Sequence, residues 1–230
     1  AARAYAAVTL LCGRPLPDMV ATPLPPFSSG TALAVLSGAA KLAIPVDCGG
    51  LLPCGTAWAS VIKDGGDDPD ATHGARLVAH ASFSPFADSG AGGCDALPDT
   101  PSFAGPDQAV GSASPSPPIV LEGESGQILL RAGTGIGRVT LPGLPVAVGE
   151  AAVNPEPRKQ IAAAVSMAAS ACGFSGTIHL LISVPDGEAR ARHTLNSRLG
   201  VLGGISVLGT SGIVRPYSHD AWKCAIEQGI

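Results

Sequence analysis

Asp64, Asp67, Asp68 and Asp70 crowd behind Lys63, with only Gly65, Gly66 and Pro69 between them. Carboxylates this close repel one another and need a partner: a hard cation, a cationic ligand, or a proton held at raised pKa. The run can therefore hold a metal ion, act as a general base, or clamp a positively charged ligand. Its spacing does not match Asp-x-Asp-x-Asp-Gly with a later Glu, which argues against a calcium loop. The plainer explanation is a solvated turn in which Asp68 or Asp70 caps the segment that follows.

Two glycine runs are the next candidates. The backbone N–H groups of Gly133-Thr134-Gly135-Ile136-Gly137 can form an anion nest. The run departs from Gly-x-Gly-x-x-Gly, and Val139-Thr140-Leu141-Pro142-Gly143 rather than a helix follows it. A tight turn between strands explains it as well. Over 199–214, Gly200, Gly203, Gly204, Gly209 and Gly212 are interspersed with Ser206, Thr210 and Ser211. Glycines admit close backbone approach to a ligand, and hydroxyls bind carboxylate or phosphate oxygens. The run has no P-loop lysine, which argues against nucleoside triphosphate hydrolysis. Arg190, Arg192, His193 and Arg198 precede it and Arg215 follows it. The arginine fork pairs with carboxylates, so a polycarboxylate ligand suits this region. A packed glycine-rich strand with scattered surface arginines is the alternative.

Other chemistry is less supported. His73, His80, His179, His193 and His219 show no helical metal-ligand spacing, so no metal site is expected. Cys12, Cys48, Cys54, Cys94, Cys172 and Cys224 form no Cys-x-x-Cys pair and are expected to be free, mostly buried thiols. No Gly-x-Ser-x-Gly nucleophile elbow occurs.

The elements that must carry these residues can be read from periodicity. Residues 1–11 suit an amphipathic helix that ends at Gly13. The apolar stretch 4–12 is too short to span a bilayer, which takes about 20 residues. A strand is expected within 31–46. A clearer one covers 55–63, with Ala57, Ala59 and Val61 opposite Trp58, Ser60 and Ile62. Another covers 73–83. The stretch 84–118, rich in Pro, Ser, Gly and Asp, reads as a flexible insertion without chemistry. Strands follow at 127–131 and 138–141. Asn154, Pro155 and Glu156 begin a long helix that Gly173 stops. Then come a strand at 177–184, a short helix at 188–196, a strand at 201–208 and a last helix at 220–228. The pattern predicts one α+β domain over 1–230, a mixed, mostly antiparallel sheet packed with helices.

Composition bounds the rest. The 230 residues are 46% hydrophobic but only 4% aromatic, so Ala, Val, Leu and Ile must build the core. A net charge of −4 argues against a general nucleic-acid binder. No membrane association is expected, and self-association is left open.

Taken in order, these runs resemble the cobalt-precorrin-5B C1-methyltransferase family of anaerobic cobalamin biosynthesis. The blocks are Val61-Ile62-Lys63-Asp64 to Thr72-His73-Gly74, then Gly133 to Gly143 with Gly149, then Asn154-Pro155-Glu156-Pro157-Arg158. Ser183-Val184-Pro185-Asp186-Gly187, Thr194-x-Asn196 and the glycine-rich run to Pro216 and Ser218 complete the series. The family opens on a Thr-Thr-Gly-Ala-Cys-like motif and continues into an α/β C-terminal domain. Both are missing from this sequence, which is expected to be a partial enzyme.

The resemblance implies methyl transfer from S-adenosylmethionine to C-1 of a cobalt-containing tetrapyrrole, giving cobalt-precorrin-6A, in the cytoplasm. The cobalt belongs to the substrate. Asp64, Asp67, Asp68 and Asp70 are then candidates for a base or for holding the sulfonium. Gly133, Gly135, Gly137, Gly203, Gly204, Gly209, Thr210, Ser211 and Gly212 are candidates for the donor site. Lys63, Asn154, Arg158, Arg192, Asn196, Arg198 and Arg215 are candidates for the substrate's carboxylates. A non-catalytic module that binds anions or tetrapyrroles is the alternative.

Overall fold

Alternating small apolar residues build a sheet that a pair of alanine-rich helices covers on one face. A computed structural model describes residues 1–23, 41–64, 70–85 and 117–208. The chain begins with α1 (Ala2–Leu11), β1 (Met19–Pro23), β2 (Lys41–Pro45) and β3 (Cys48–Leu51). β4 (Ala57–Ile62), β5 (Arg76–Ser82), β6 (Ile119–Gly123) and β7 (Gly126–Ala132) follow. Next come β8 (Gly135–Ile136), β9 (Arg138–Val139), α2 (Pro155–Cys172) and β10 (Ile178–Ser183). The last described elements are α3 (Gly187–Ala191), β11 (Val201–Leu202) and β12 (Gly204–Ile205).

The main sheet has six strands in the order β3-β4-β5-β10-β7-β6. All pairs are antiparallel except β7 with β10. The α+β architecture with a mixed, mostly antiparallel sheet is therefore as the sequence predicts. The parallel pair needs a crossover, and α2 lies within it. Ala59, Val61, Ala79, Ala81, Leu130, Leu180 and Ile182 share one core with Ala4, Ala7 and Val8 of α1 and Val165, Ala168 and Ala169 of α2. Small residues on both sides let helix and sheet backbones approach closely, which is how a core with few aromatics stays packed. Trp58 and Val78 point to the other face and pack with Leu52.

Helix limits follow local chemistry. α2 starts at Pro155 and stops where Gly173 turns left-handed at φ +69°. Asn154 occupies the N-cap but its side chain makes no capping bond; its N–H instead donates to the Val207 carbonyl at 2.9 Å. Two expected elements are shorter than predicted. The 188–196 helix is only α3, and the 201–208 strand is β11 and β12, interrupted by Gly203 at φ +80°. Nothing in the sequence announced β3, whose Cys-Gly-Gly-Leu lacks alternation. A Cβ on Gly49 would stand 2.7 Å from the Trp58 carbonyl, so the close pairing with β4 requires glycine there.

Cys12, Cys48, Cys54 and Cys172 are free thiols as expected, but they are partly buried or exposed rather than buried. Cys12 and Cys172 sit at helix ends and Cys54 in a turn. The expected helix at 220–228 and nearly all of the expected insertion lie outside the described residues. Among the described residues no helix is long and apolar enough to cross a membrane.

Candidate functional site

The acid run is the connection of the β4–β5 hairpin. The Lys63 N–H donates to the Ala75 carbonyl at 2.9 Å and Gly74 to the Lys63 carbonyl at 2.8 Å, closing its base. Lys63 Nζ donates to both Asp70 carboxylate oxygens, at 3.0 and 2.9 Å, and also meets the Thr72 hydroxyl. The Thr72 N–H and hydroxyl donate to Asp70 Oδ1 at 2.8 and 2.6 Å. Desolvation raises the Asp70 pKa, but the bonds from Thr72 and Lys63 outweigh it and hold it down to about 2. A carboxylate so well satisfied is a weak base, so Asp70 serves as the clamp of the loop. Asp64 is 86% exposed, with His73 Nδ1 3.8 Å away. Asp67 and Asp68 lie outside the described residues.

The clamp has a pH signature. Because the folded pKa lies below the ordinary 3.8, its stabilisation is complete above that value and is lost as pH falls towards 2. NMR titration of Asp70 should give a midpoint near 2 in the native chain and a return towards 3.8 in Lys63→Met. A native midpoint at 3.8 would mean that the clamp does not form in solution.

The glycine runs meet in a backbone crossing. β8 pairs in parallel with β12, and β9 pairs antiparallel with β11. Gly135 has φ +75°, and a Cβ there would lie 1.9 Å from the Val184 carbonyl. A Cβ on Gly187 or Gly204 would lie 2.2 or 2.3 Å from the Gly135 carbonyl. One on Gly137 would lie 2.4 Å from Val201 Cγ1. The N–H groups of Gly133, Ile136 and Gly137 donate to the carbonyls of Ile182, Gly133 and Ile205. The space left by Gly135, Gly137 and Gly204 is thus filled by the chain itself, which favours close packing over an open anion nest. Gly203 is half-buried and supplies the positive φ between β11 and β12. Gly209, Thr210, Ser211 and Gly212 lie outside the described residues.

Asn196 is buried and braces this crossing. Its Nδ2 donates to the Gly204 carbonyl and its Oδ1 accepts from Ser206 Oγ, both at 3.3 Å. Arg158 is committed too: its Nε donates to the Val153 carbonyl at 2.7 Å and its terminal nitrogen pairs with Glu150 at 2.8 Å. Arg192 and Arg198 are exposed and form no ion pair among the described residues. Asn154 is half-buried at the start of α2. Arg215 lies outside the described residues.

Arg190 is the residue that sequence reasoning undervalued. It follows Gly187 on α3, pairs with Asp186 at 2.5 Å, and donates to the carbonyls of Ala71 at 3.0 Å and His73 at 2.8 Å. It thereby ties the acid loop to the glycine crossing. No spacing signal reveals this, because the acceptors are backbone atoms more than a hundred residues away. A second unforeseen cluster lies at the β3 edge, where Ser60 Oγ donates to Asp47 at 3.0 Å and stands 3.1 Å from Cys48 Sγ. Arg76 completes it, 3.2 Å from both Asp47 and Cys48.

The chain is similar to known proteins. The sequence model of the CbiD family matches residues 1–93 and 108–216. The chain is 44% identical over 227 residues to the cobalt-precorrin-5B C(1)-methyltransferase of Nitratidesulfovibrio vulgaris, covering 99% of this chain and 47% of that protein. It is 43% identical over 175 residues to the protein of the same name from Geobacillus thermodenitrificans, covering 76% of this chain and 37% of the relative. The chain thus spans less than half the length of these curated relatives. A crystal structure described as a cobalamin biosynthesis protein (cbiD) from Archaeoglobus fulgidus shares the fold, with a TM-score of 0.50 at 21% identity. That alignment covers 98% of this chain and 55% of the other.

Proposed function

The chain belongs to the CbiD family, and from that premise we propose that it forms part of an S-adenosylmethionine-dependent C-methyltransferase acting at C-1 of cobalt-precorrin-5B. The observation that carries this reading is the 44% identity to a relative of that name over nearly the whole chain. The product is cobalt-precorrin-6A, and the setting is cobalamin biosynthesis in the cytoplasm. The cobalt arrives and leaves with the substrate.

The donor set suits both reactants. S-adenosylmethionine supplies an electrophilic methyl group: a C–C bond to C-1 forms as the S–CH3 bond breaks, and S-adenosylhomocysteine leaves. The macrocycle is the nucleophile, so the protein needs no nucleophile of its own and works by alignment. In this reading the acid loop takes the cationic reactant. Its Asp70 is held by Lys63 and Thr72, so charge stabilisation or proton removal falls to Asp64, Asp67 and Asp68. Exposed Arg192 and Arg198, with Arg215, are positioned in sequence for the substrate's carboxylates. Arg158, paired to Glu150, acts indirectly by fixing the start of α2.

The test is methyl transfer by the full-length protein, followed as methyl label moving from donor to tetrapyrrole. The Asp67→Asn and Asp68→Asn variants should each lose about a hundredfold or more in rate if they remove a proton or hold the sulfonium. Unchanged rate and donor affinity in both would sink the role given to the acid loop.

A further inference from the structure

β6 ends the main sheet, and among the described residues only its β7 side is paired. No other backbone bond among the described residues reaches 119–123. An edge strand turns alternate N–H and C=O groups outward, where a further strand can pair with them. Here that edge is one wall of a cavity of about 620 Å3, and α2 is the other.

The lining shows how the groove is made. Val120, Leu121, Glu122, Gly123 and Glu124 all line it. Consecutive strand residues point to opposite faces, so the backbone edge of β6, not one of its faces, forms this wall. On α2 the lining recurs at 158–159, 162–163 and 166–167, which is one stripe along the helix. Ala162 and Ala163 leave room beside the edge. Strand and helix close up at Gly123, where a Cβ would stand 2.4 Å from Ser166 Oγ. The turn beyond is tied down: Ser125 Oγ lies 2.6 Å from Ser170 Oγ and donates to the Ser166 carbonyl at 3.4 Å. The groove is therefore built in advance of any ligand.

Two features call for an occupant. Ser166 lines the groove and is only 6% exposed, yet its hydroxyl has no hydrogen-bond partner among the described residues. A buried hydroxyl is unfavourable unless a polar group reaches it. The second feature is charge. Arg158 and Lys159 are already paired with Glu150 and Glu156. Glu122 and Glu124 are exposed and form no ion pair among the described residues. The groove is left with negative charge that nothing within it neutralises.

We propose that the groove between β6 and α2 binds an extended basic segment of a partner protein by strand addition. The outward N–H and C=O groups of β6 pair with the partner's backbone, and a Lys or Arg side chain of the segment reaches Glu122 and Glu124. A polar group of the segment satisfies Ser166. A second copy of this chain fits less well, because pairing β6 with itself would bring a second pair of carboxylates to the same edge.

Amide hydrogen exchange in the full-length protein tests this, with an alternating Lys-Val hexapeptide and the matching Glu-Val hexapeptide as probes. Saturating Lys-Val peptide should slow exchange of the outward N–H groups of β6 by about tenfold or more, and the Glu-Val peptide should not. A fully N-methylated Lys-Val peptide keeps the charge but cannot donate backbone bonds, and should protect nothing. The double variant Glu122→Gln, Glu124→Gln changes only exposed side chains and should bind the Lys-Val peptide about tenfold less tightly. No protection by the Lys-Val peptide, or equal protection by the Glu-Val or N-methylated peptide, would overturn the proposal. So would β6 amides already protected in the free protein, which would mean that the chain covers its own edge. Protection that rises with protein concentration alone would make a second copy the occupant and overturn it too.

Discussion

Gly135→Ala is expected to destabilise the domain by about 3–5 kcal/mol, adding the cost of a left-handed non-glycine residue to that of overpacking. Its φ is +75°, and the new Cβ would meet the Val184 carbonyl at 1.9 Å and the Gly187 nitrogen at 2.9 Å. Both obstacles are backbone, so no side-chain rotation relieves them. Typical domains have only about 5–15 kcal/mol in total, and the melting temperature should fall by roughly 10–15 °C. Gly13→Ala separates the two causes. Its φ is +74°, but nothing lies within 4 Å of the added carbon, so only the conformational cost of about 1 kcal/mol remains. Equal thermal shifts in the two variants would contradict the packed crossing and restore an open, ligand-facing role for Gly135.

Arg190→Ala should slow the proposed methyl transfer in the full-length protein by about 10–100-fold while costing only about 1–2 kcal/mol of stability. The side chain is 24% exposed, so part of its electrostatic contribution is screened by water. Its effect on rate comes from geometry: the bonds to Ala71 and His73 set where the acid loop stands relative to α3. Arg190→Lys should not restore the rate, because one ammonium cannot hold two carbonyls and a carboxylate in the same plane. Hydrogen exchange at residues 71–74 should accelerate in both variants. Native exchange and native rate in Arg190→Ala would show that the acid loop is positioned without it.

The sequence made the scaffold more legible than the site. Alternation in β4, β5 and β10 and the punctuation of α2 by Pro155 and Gly173 are local signals, and the observed elements follow them. β3 was hidden because two of its four residues are glycines whose purpose is contact with β4. The site depends on longer-range events. Gly135, Gly187 and Gly204 come from three separate segments, and only the fold shows that they fill one another's space. Asp70 belongs to a run of like charges, yet Lys63 and Thr72 give it a role unlike that expected of its neighbours. Arg158 looked like a free anchor until its partners Glu150 and Val153 were in view. In each case the residue type was recognised and its partner was not.

The strand order also determines where the chain can change in length. β5 and β6 are consecutive in sequence but not neighbours, since β10 and β7 lie between them. The connection across 84–118 therefore sets neither a hairpin register nor a strand pairing. The family match passes over 94–107, within this same connection. The β4–β5 connection has no such latitude, because Lys63, Asp70 and Thr72 fix its two ends to each other. Chain length between β5 and β6 can thus vary without shifting the register of the described strands, while the β4–β5 connection keeps its length.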